Sequence, residues 1–176
     1  RESIFKNTLK DQFIITHVTL LLTKRDHKLN TSYGAIKSTL NKKGIGNPTI
    51  KDISEAVISI RKSKLPDPSE IGNAGSFFKN PTIDKLEFEA LKLNYPDMPG
   101  YVISQNEVKV PAGWLIEQCG WKGLRRGAIG VHENQALVLV NYGGGGGSEI
   151  KTLAEDIRAS VIERFGIELF TEVNII

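Results

Sequence analysis

The sequence predicts an α+β fold, because segments with helical periodicity and segments with strand character both occur along the chain. The clearest helix covers residues 149–165, where Ser148 can cap the start and Gly166 can close the end. The clearest strands are residues 13–22, rich in β-branched and aromatic side chains, and the compact apolar run 136–141. The long helix has a single apolar stripe that a sheet can cover: Ile150, Leu153, Ile157, Val161 and Phe165.

The first third of the chain predicts one strand followed by one helix. One face of the strand at residues 13–22 carries Ile14, Val18, Leu20 and Leu22. Thr49 followed by Asp52 is close to a capping box, so a helix begins there and ends before Pro66. The inward stripe of this helix is Ile53, Val57 and Ile60.

The rest of the chain predicts two shorter helices and a closing strand. Thr82 can cap a helix that runs to about residue 93, and Pro111 suits the first turn of another that ends near Gly120. Residues 168–176 alternate between apolar and polar side chains, which predicts a strand. The inward residues of the first of these helices are Leu86, Ala90 and Leu93.

Composition and charge exclude several classes of function. With 176 residues, of which 40% are hydrophobic and 24% charged, the chain has the composition of an ordinary globular protein. The formal net charge of +3 is mild and suits an anionic small ligand. Nucleic-acid binding needs a contiguous cationic surface, whereas Asp26 interrupts the densest basic cluster at residues 24–28. We therefore expect no nucleic-acid partner.

The cysteine and histidine residues and the lengths of the apolar runs exclude further kinds of site. A single cysteine, Cys119, excludes an internal disulfide and shares a helical face with apolar neighbours, which favours a buried role. No apolar run approaches the ~20 residues that span a bilayer, and the chain opens with no signal peptide, so we expect a cytoplasmic protein. We expect no metal site, because metal-ligand spacing is absent among His17, His27 and His132.

The segment GNAGSFFKNP at residues 72–81 is the best candidate for a functional motif. Gly72 and Gly75 let the backbone approach another molecule closely, because neither residue carries a Cβ. Phe77 and Phe78 can anchor the segment in a core while Ser76 stays accessible. Donors suited to phosphate or sugar oxygens follow at Lys79 and Asn80. From the residues alone, the favoured interpretation is a strand with a glycine bend, with its aromatic residues in the core and its polar groups solvated.

A second glycine-rich segment, residues 143–147, lies between a predicted strand and a predicted helix, where phosphate-binding loops occur. The phosphate-loop pattern requires a lysine before Ser or Thr, but Gly147 stands before Ser148. This segment therefore predicts a flexible connection.

Five motifs follow one another along the chain: RESIFK (1–6), KLPDP (64–68), GNAGSFFKNP (72–81), VPAGWLIEQCGWKG (110–123) and VHENQALVL (131–139). Together with the closing EVNII at residues 172–176, they resemble the bacterial UDP-N-acetylenolpyruvoylglucosamine reductases, also called UDP-N-acetylmuramate dehydrogenases. Only the five consecutive glycines depart from the more mixed loop of that family.

The resemblance implies a flavoenzyme that reduces UDP-N-acetylglucosamine enolpyruvate to UDP-N-acetylmuramate for peptidoglycan. NADPH passes hydride to FAD, reduced flavin passes it to the substrate's methylene carbon, and the adjacent carbon is protonated. The implied domains are the end of an FAD-binding α+β region at residues 1–65, an α/β substrate-binding domain with a small mixed sheet and flanking helices at 66–168, and a closing strand at 169–176. An N-terminal FAD-binding region is expected before Arg1, so this chain alone is expected to be inactive.

The resemblance also implies the catalytic residues. Arg1 corresponds to the family's arginine near the flavin, where a guanidinium can bind the substrate carboxylate through two bonds. Ser76 corresponds to the proton donor, and Glu172 to the catalytic glutamate. Glu172 can stabilise the enol form or reload the Ser76 proton, and the sequence leaves both roles open.

Substrate contacts follow from the same resemblance. Lys122 and Tyr101 are expected to bind the diphosphate, and Asn80 and Gln135 the sugar or uracil edges. The full substrate set is Tyr33, Lys64, Asn80, Tyr101, Lys122 and Gln135, and the cofactor set is Gly75 and Lys64. The main alternative is a non-catalytic module that binds sugar nucleotides, in which Ser76 and Glu172 have no role.

Overall fold

The computed structural model describes residues 3–32 and 34–175, apart from the side chain of Lys6. After a short 3₁₀ turn at Ile4–Lys6, the helices are α1 (Ile36–Lys42), α2 (Ile50–Lys64), α3 (Lys85–Asn94), α4 (Ala112–Gln118) and α5 (Gly147–Phe165). The strands are β1 (Gly72–Ser76), β2 (Thr82–Asp84), β3 (Tyr101–Val102), β4 (Glu107–Lys109), β5 (Arg125–Arg126), β6 (Ile129–Val131) and β7 (Val138–Asn141). The predicted α+β class is confirmed.

The described strands form two small sheets, and every pairing in them is antiparallel. The first sheet has the order β1-β7-β6-β5, and the second has the order β2-β4-β3. The prediction of a mixed sheet, with parallel and antiparallel pairs, is therefore wrong. Short connections join β3 to β4, β5 to β6 and β6 to β7, and such connections return the chain in the opposite direction.

The main core lies between the first sheet and the helices α4 and α5. The predicted stripe of α5 is confirmed, since Leu153, Ile157, Val161 and Phe165 are buried and Ile150 is partly buried. Gly166 closes the helix in the left-handed region at φ 70°, as the sequence predicts. Val131 and Leu139 from the sheet and Leu115 and Ile116 from α4 belong to the same core.

A separate small core joins α1 and α2. Ile36, Leu40 and Ala56 are buried there, and the predicted stripe of α2 packs against them. The predicted capping box is confirmed: the Thr49 N–H donates to Asp52 Oδ2 at 2.8 Å, and the Asp52 N–H donates to Thr49 Oγ1 at 3.3 Å. Hydrogen bonds from the Thr49 side chain and backbone lower the pKa of the Asp52 carboxyl.

The strand predicted at residues 13–22 is absent. The chain there forms no ladder with any described residue, and Ile14 and Leu21 are 91% and 102% exposed. High β-propensity expresses a preference for packing on a half-buried sheet, so it gives a strand only where a neighbouring strand pairs with it. No such neighbour lies among residues 3–32 and 34–175.

The helix expected from Thr82 begins later and buries a different face. Thr82 belongs to β2, which pairs with β4, and the helix is capped instead by Asp84, whose Oδ1 accepts the Leu86 N–H at 2.7 Å. The expected inward residues are wrong: Leu86, Ala90 and Leu93 are exposed. Phe88 and Leu91 contact the main core in their place.

The closing strand is reduced to one bridge between Thr171 and Phe78. Leu169 is buried, but residues 172–175 belong to no strand, so the alternating pattern has no continuous partner. The division into residues 1–65, 66–168 and 169–176 stays a prediction.

Candidate active site

The glycine motif begins with an irregular edge strand. β1 lies at one edge of the first sheet and pairs with β7 through Gly72 with Asn141, Asn73 with Val140 and Ser76 with Val138. The register shifts between Asn73 and Ser76, which makes a β-bulge. Gly75 lies in this bulge with φ +73°, a backbone conformation that glycine adopts without strain.

The two aromatic residues after Ser76 anchor the motif in the core. Phe77 and Phe78 are 5% and 1% exposed, and their rings meet edge to face with centroids 5.2 Å apart. Ser76 itself is exposed. The motif therefore presents a hydroxyl at the surface directly beside a rigid hydrophobic anchor.

Ser76 and Glu172 line the same depression. Its volume is about 610 Å³, and its other lining residues are Ala74, Val173 and Asn174. Two backbone hydrogen bonds hold the chain end against the motif: the Glu172 N–H donates to the Phe77 oxygen at 2.8 Å, and the Lys79 N–H donates to the Phe170 oxygen at 2.8 Å. The structure thus brings together two of the three expected catalytic residues from distant parts of the sequence.

A larger depression of about 740 Å³ borders β1 and the C-terminal end of α2. Gly75 lines it together with Asn73, His132 and Asn134. Sequence reasoning missed Asn73, although an asparagine two residues before a glycine is a typical signal for a side chain that binds its own backbone.

Asn80 and Gln135 lie at the first turn of α4. Asn80 Oδ1 accepts the Ala112 N–H at 3.0 Å and so satisfies one of the free donors at the start of this helix. Gln135 Oε1 lies on the other side of the turn, where a Cβ added to Gly113 would be 3.5 Å from it. Because the carbonyl oxygen of Asn80 is used structurally, its Nδ2 group is the atom open to a ligand.

Comparison with known proteins assigns the chain to a family. Residues 67–176 match the family model described as the C-terminal domain of UDP-N-acetylenolpyruvoylglucosamine reductase. The chain belongs to the UDP-N-acetylenolpyruvoylglucosamine reductase family. The resemblance of the sequence motifs is thereby confirmed.

Curated relatives of that name match all or nearly all of this chain. It is 60% identical over 176 residues to the UDP-N-acetylenolpyruvoylglucosamine reductase of Flavobacterium johnsoniae, and the match covers 100% of the chain and 52% of the relative. It is 52% identical over 100% of its length to the reductase of Amoebophilus asiaticus, of which 52% is covered. The match to the Pseudomonas aeruginosa reductase has 47% identity and covers 99% of the chain and 51% of the relative. The chain therefore spans about half the length of these relatives.

The other residues expected to bind substrate in the reductase family are spread over several elements. Lys64 is the last residue of α2 and is exposed, and Tyr101 lies on β3 with 65% exposure. Lys122 follows α4, and its Nζ lies 2.9 Å from Glu117 Oε1, so a carboxylate already accompanies this ammonium. Arg1 and Tyr33 lie outside the described residues.

The glycine-rich loop before α5 is held by Asn141. The Asn141 side chain accepts the N–H groups of Gly143 and Gly145 and donates to the Gly145 oxygen. The helix begins at Gly147, and Ser148 is not its cap; the Glu149 carboxylate accepts the Gly146 N–H at 2.7 Å. An anionic side chain therefore occupies this helix start, which agrees with the absence of a phosphate-loop lysine.

Cys119 is a packing residue at the end of α4. It contacts the main core, and its Sγ donates to the Ser160 oxygen at 3.5 Å. Partial burial is the main cause that raises the pKa of its thiol. Among residues 3–32 and 34–175, no group of His, Cys, Asp and Glu could hold a metal ion, and no helix has the length and apolar character to cross a bilayer.

Proposed function

We propose that this chain is the substrate-binding and proton-donating part of an NADPH-dependent flavoenzyme. The reaction is reduction of UDP-N-acetylglucosamine enolpyruvate to UDP-N-acetylmuramate, a step in the synthesis of peptidoglycan precursors in the cytoplasm. The observation that carries the proposal is the shared depression of Ser76 and Glu172 in a chain of the reductase family. Because the chain spans about half of its relatives, the activity is that of a longer protein with an FAD-binding region.

The cofactor side of the site is proposed at Gly75 and Lys64. FAD, reduced by NADPH, supplies the hydride when bound. The open space at Gly75, where an added Cβ would meet nothing within 4 Å, supports the approach of a flat ring system to the backbone there. Lys64 ends α2 with an exposed side chain, so its ammonium is free to reach an anionic group of cofactor or substrate.

Ser76 is proposed to give a proton to the carbon beside the one that receives hydride. A serine hydroxyl is a weak acid, so it donates only to a strongly basic, closely aligned carbon in a site that excludes water. Glu172 lines the same depression and either donates a hydrogen bond to the enol form or returns a proton to Ser76. Arg1 is proposed to bind the substrate carboxylate through the two parallel bonds that a guanidinium forms.

The sugar nucleotide is proposed to lie across α4 and the second sheet. Lys122 and Tyr101 would bind the diphosphate, and Tyr33 and Lys64 would complete the contacts to the substrate. Asn80 and Gln135 would bind the sugar or base, with Asn80 acting as donor through Nδ2 because Ala112 occupies its oxygen. The alternative is a non-catalytic module that binds sugar nucleotides, in which these contacts remain and Ser76 and Glu172 have no role.

The discriminating experiment uses Ser76→Ala in the protein joined to its FAD-binding region. NADPH should reduce the bound flavin at the parental rate, because Ser76 takes no part in that step. Reoxidation by the enolpyruvyl substrate should slow by about 10²–10⁴-fold, the usual effect of losing a general acid. Both rates are measured by stopped-flow absorbance of the flavin.

Ser148→Ala is the matched control, because Ser148 is an exposed serine at the start of α5. It should leave both rates unchanged. Equal reoxidation rates in Ser76→Ala and the parent would remove Ser76 from the mechanism and favour the binding module. The chain of 176 residues alone should neither retain flavin nor turn over substrate, and stoichiometric FAD in the purified chain would contradict this.

A further inference from the structure

We propose that Asn73 is a positioning residue for Ser76, because its carboxamide holds the β-bulge that decides where the Ser76 hydroxyl lies. The inference rests on the proposed role of Ser76 and adds a residue to that site. Asn73 itself is not assigned any contact with substrate or cofactor.

Both ends of the Asn73 carboxamide bind the backbone of its own strand. Nδ2 donates to the Ile71 oxygen at 2.9 Å, and Oδ1 accepts the Gly75 N–H at 3.1 Å. A bulge leaves its extra residue out of the regular ladder. Asn73 supplies the acceptor that the Gly75 N–H needs inside the bulge, and it is partly buried there.

The bulge changes the position of Ser76 by one residue of β7. From Asn73 to Ser76 the strand β1 advances three residues, while β7 advances only two, from Val140 to Val138. A regular ladder that begins at Asn73 and Val140 would place Ser76 opposite Leu137. One residue along a strand is about 3.3 Å. A shift of that size would move the Ser76 hydroxyl out of hydrogen-bonding distance of a group that it otherwise contacts.

The bulge is fixed on its C-terminal side by the Phe77 N–H, which donates to the Leu137 oxygen at 2.8 Å, and on its N-terminal side by the two bonds of Asn73. β1 is the edge strand of its sheet, so only β7 pairs with it. Gly75 needs no space for a side chain, and its φ of +73° is one of several conformations that glycine adopts freely. The two hydrogen bonds of Asn73 therefore select one conformation from those that the glycine allows.

The test uses Asn73→Ala in the protein joined to its FAD-binding region. Flavin reduction by NADPH, measured per bound FAD, and the substrate Kd should stay within about threefold of the parent. Reoxidation by substrate should slow by about 10²-fold, the loss that a misplacement of about 1 Å can cause. Hydrogen exchange provides a readout without turnover. The Gly75 amide should exchange at least tenfold faster in Asn73→Ala, and the Val140 amide should not change.

Two further variants separate positioning from general destabilisation. Asn73→Asp keeps the acceptor for Gly75 and loses the donor to Ile71, so it should retain Gly75 protection and lose less rate. Asn141→Ala removes similar side-chain bonds to backbone N–H groups from the glycine-rich loop and should leave reoxidation at the parental rate.

A double-mutant cycle decides whether Asn73 acts through Ser76. Adding Asn73→Ala to Ser76→Ala should slow reoxidation no further. A parental rate in Asn73→Ala, or the same loss of rate in both backgrounds, would overturn the inference. A parental rate in Ser76→Ala would instead overturn the proposed function, so the two failures are distinguishable. If Asn73→Ala does not fold, Asn73→Leu, which removes both hydrogen bonds and keeps a similar side-chain volume, is used in the same cycle, and a parental rate there overturns the inference.

Discussion

The main-chain N–H of Glu172 donates a 2.8 Å hydrogen bond to the carbonyl oxygen of Phe77, the residue that directly follows Ser76. Phe77 is anchored in the core, so this bond fixes the end of the chain against a rigid part of the glycine motif. The carboxyl group of Glu172 and the hydroxyl of Ser76 consequently line one depression.

Replacement of Glu172 by Gln should slow reoxidation of the flavin by substrate by about 10²-fold, because the amide keeps the shape of the side chain but cannot act as a general acid or base. Flavin reduction by NADPH should not change. Glu163→Gln, at an exposed position of α5, is the control and should match the parent in both half-reactions. A parental reoxidation rate in Glu172→Gln would show that the carboxyl group has no part in protonation.

Replacement of Glu117 by Gln should tighten the binding of UDP. Glu117 lies 2.9 Å from Lys122 and competes with the diphosphate for its ammonium. Exposed ion pairs contribute at most about 1 kcal/mol, so we expect a two- to fivefold lower Kd by titration calorimetry. Glu155→Gln breaks the comparable Lys151–Glu155 pair on α5 and should leave the Kd unchanged. An equal or weaker affinity in Glu117→Gln would argue against diphosphate binding at Lys122.

Replacement of Gly75 by Ala should destabilise the chain by about 1–2 kcal/mol, the cost of placing an L-residue in the left-handed region. Gly147→Ala is a matched control, because both positions have open space within 4 Å and only Gly75 has positive φ. The control should stay within about 0.5 kcal/mol of the parent or be slightly more stable. Urea unfolding measures both, and equal stabilities would show that β1 needs no glycine at this position.

The thiol of Cys119 should react slowly with a disulfide reagent at pH 8. Burial raises the pKa of Cys119, so less thiolate is present at a given pH than in the unfolded chain. The folded protein should react at least tenfold more slowly than the protein in urea, and the difference should shrink as the pH rises. Equal reaction rates in the folded and unfolded protein would mean that the contact between α4 and α5 leaves the thiol accessible to the reagent.

Local chemistry made some elements predictable from the sequence. The Thr49–Asp52 capping box and the stripe of α5 depend on residues three or four positions apart, which one helix brings together without help from the rest of the fold. The anchored Phe77–Phe78 pair beside an exposed Ser76 follows in the same way from neighbouring residues.

The wrong predictions concern elements that depend on partners far away in the sequence. Residues 13–22 have the composition of a strand and remain unpaired, and Thr82 enters β2 because β4 lies beside it. Asn80 caps α4 through a hydrogen bond between residues that are far apart in the sequence, so no local pattern predicts this role. The Asn73 bonds are local, and the Asn-x-Gly spacing of residues 73–75 is the sequence signal for them.

The most direct test is a crystal structure of the complete reductase with the enolpyruvyl substrate bound to Ser76→Ala. We expect the Cβ of residue 76 to lie within about 4–5 Å of the carbon that is protonated, so that the missing hydroxyl would reach it, with the Glu172 carboxyl group in the same cavity. A substrate whose reacting carbon lies more than about 8 Å from both residues would contradict the proposed roles of Ser76 and Glu172.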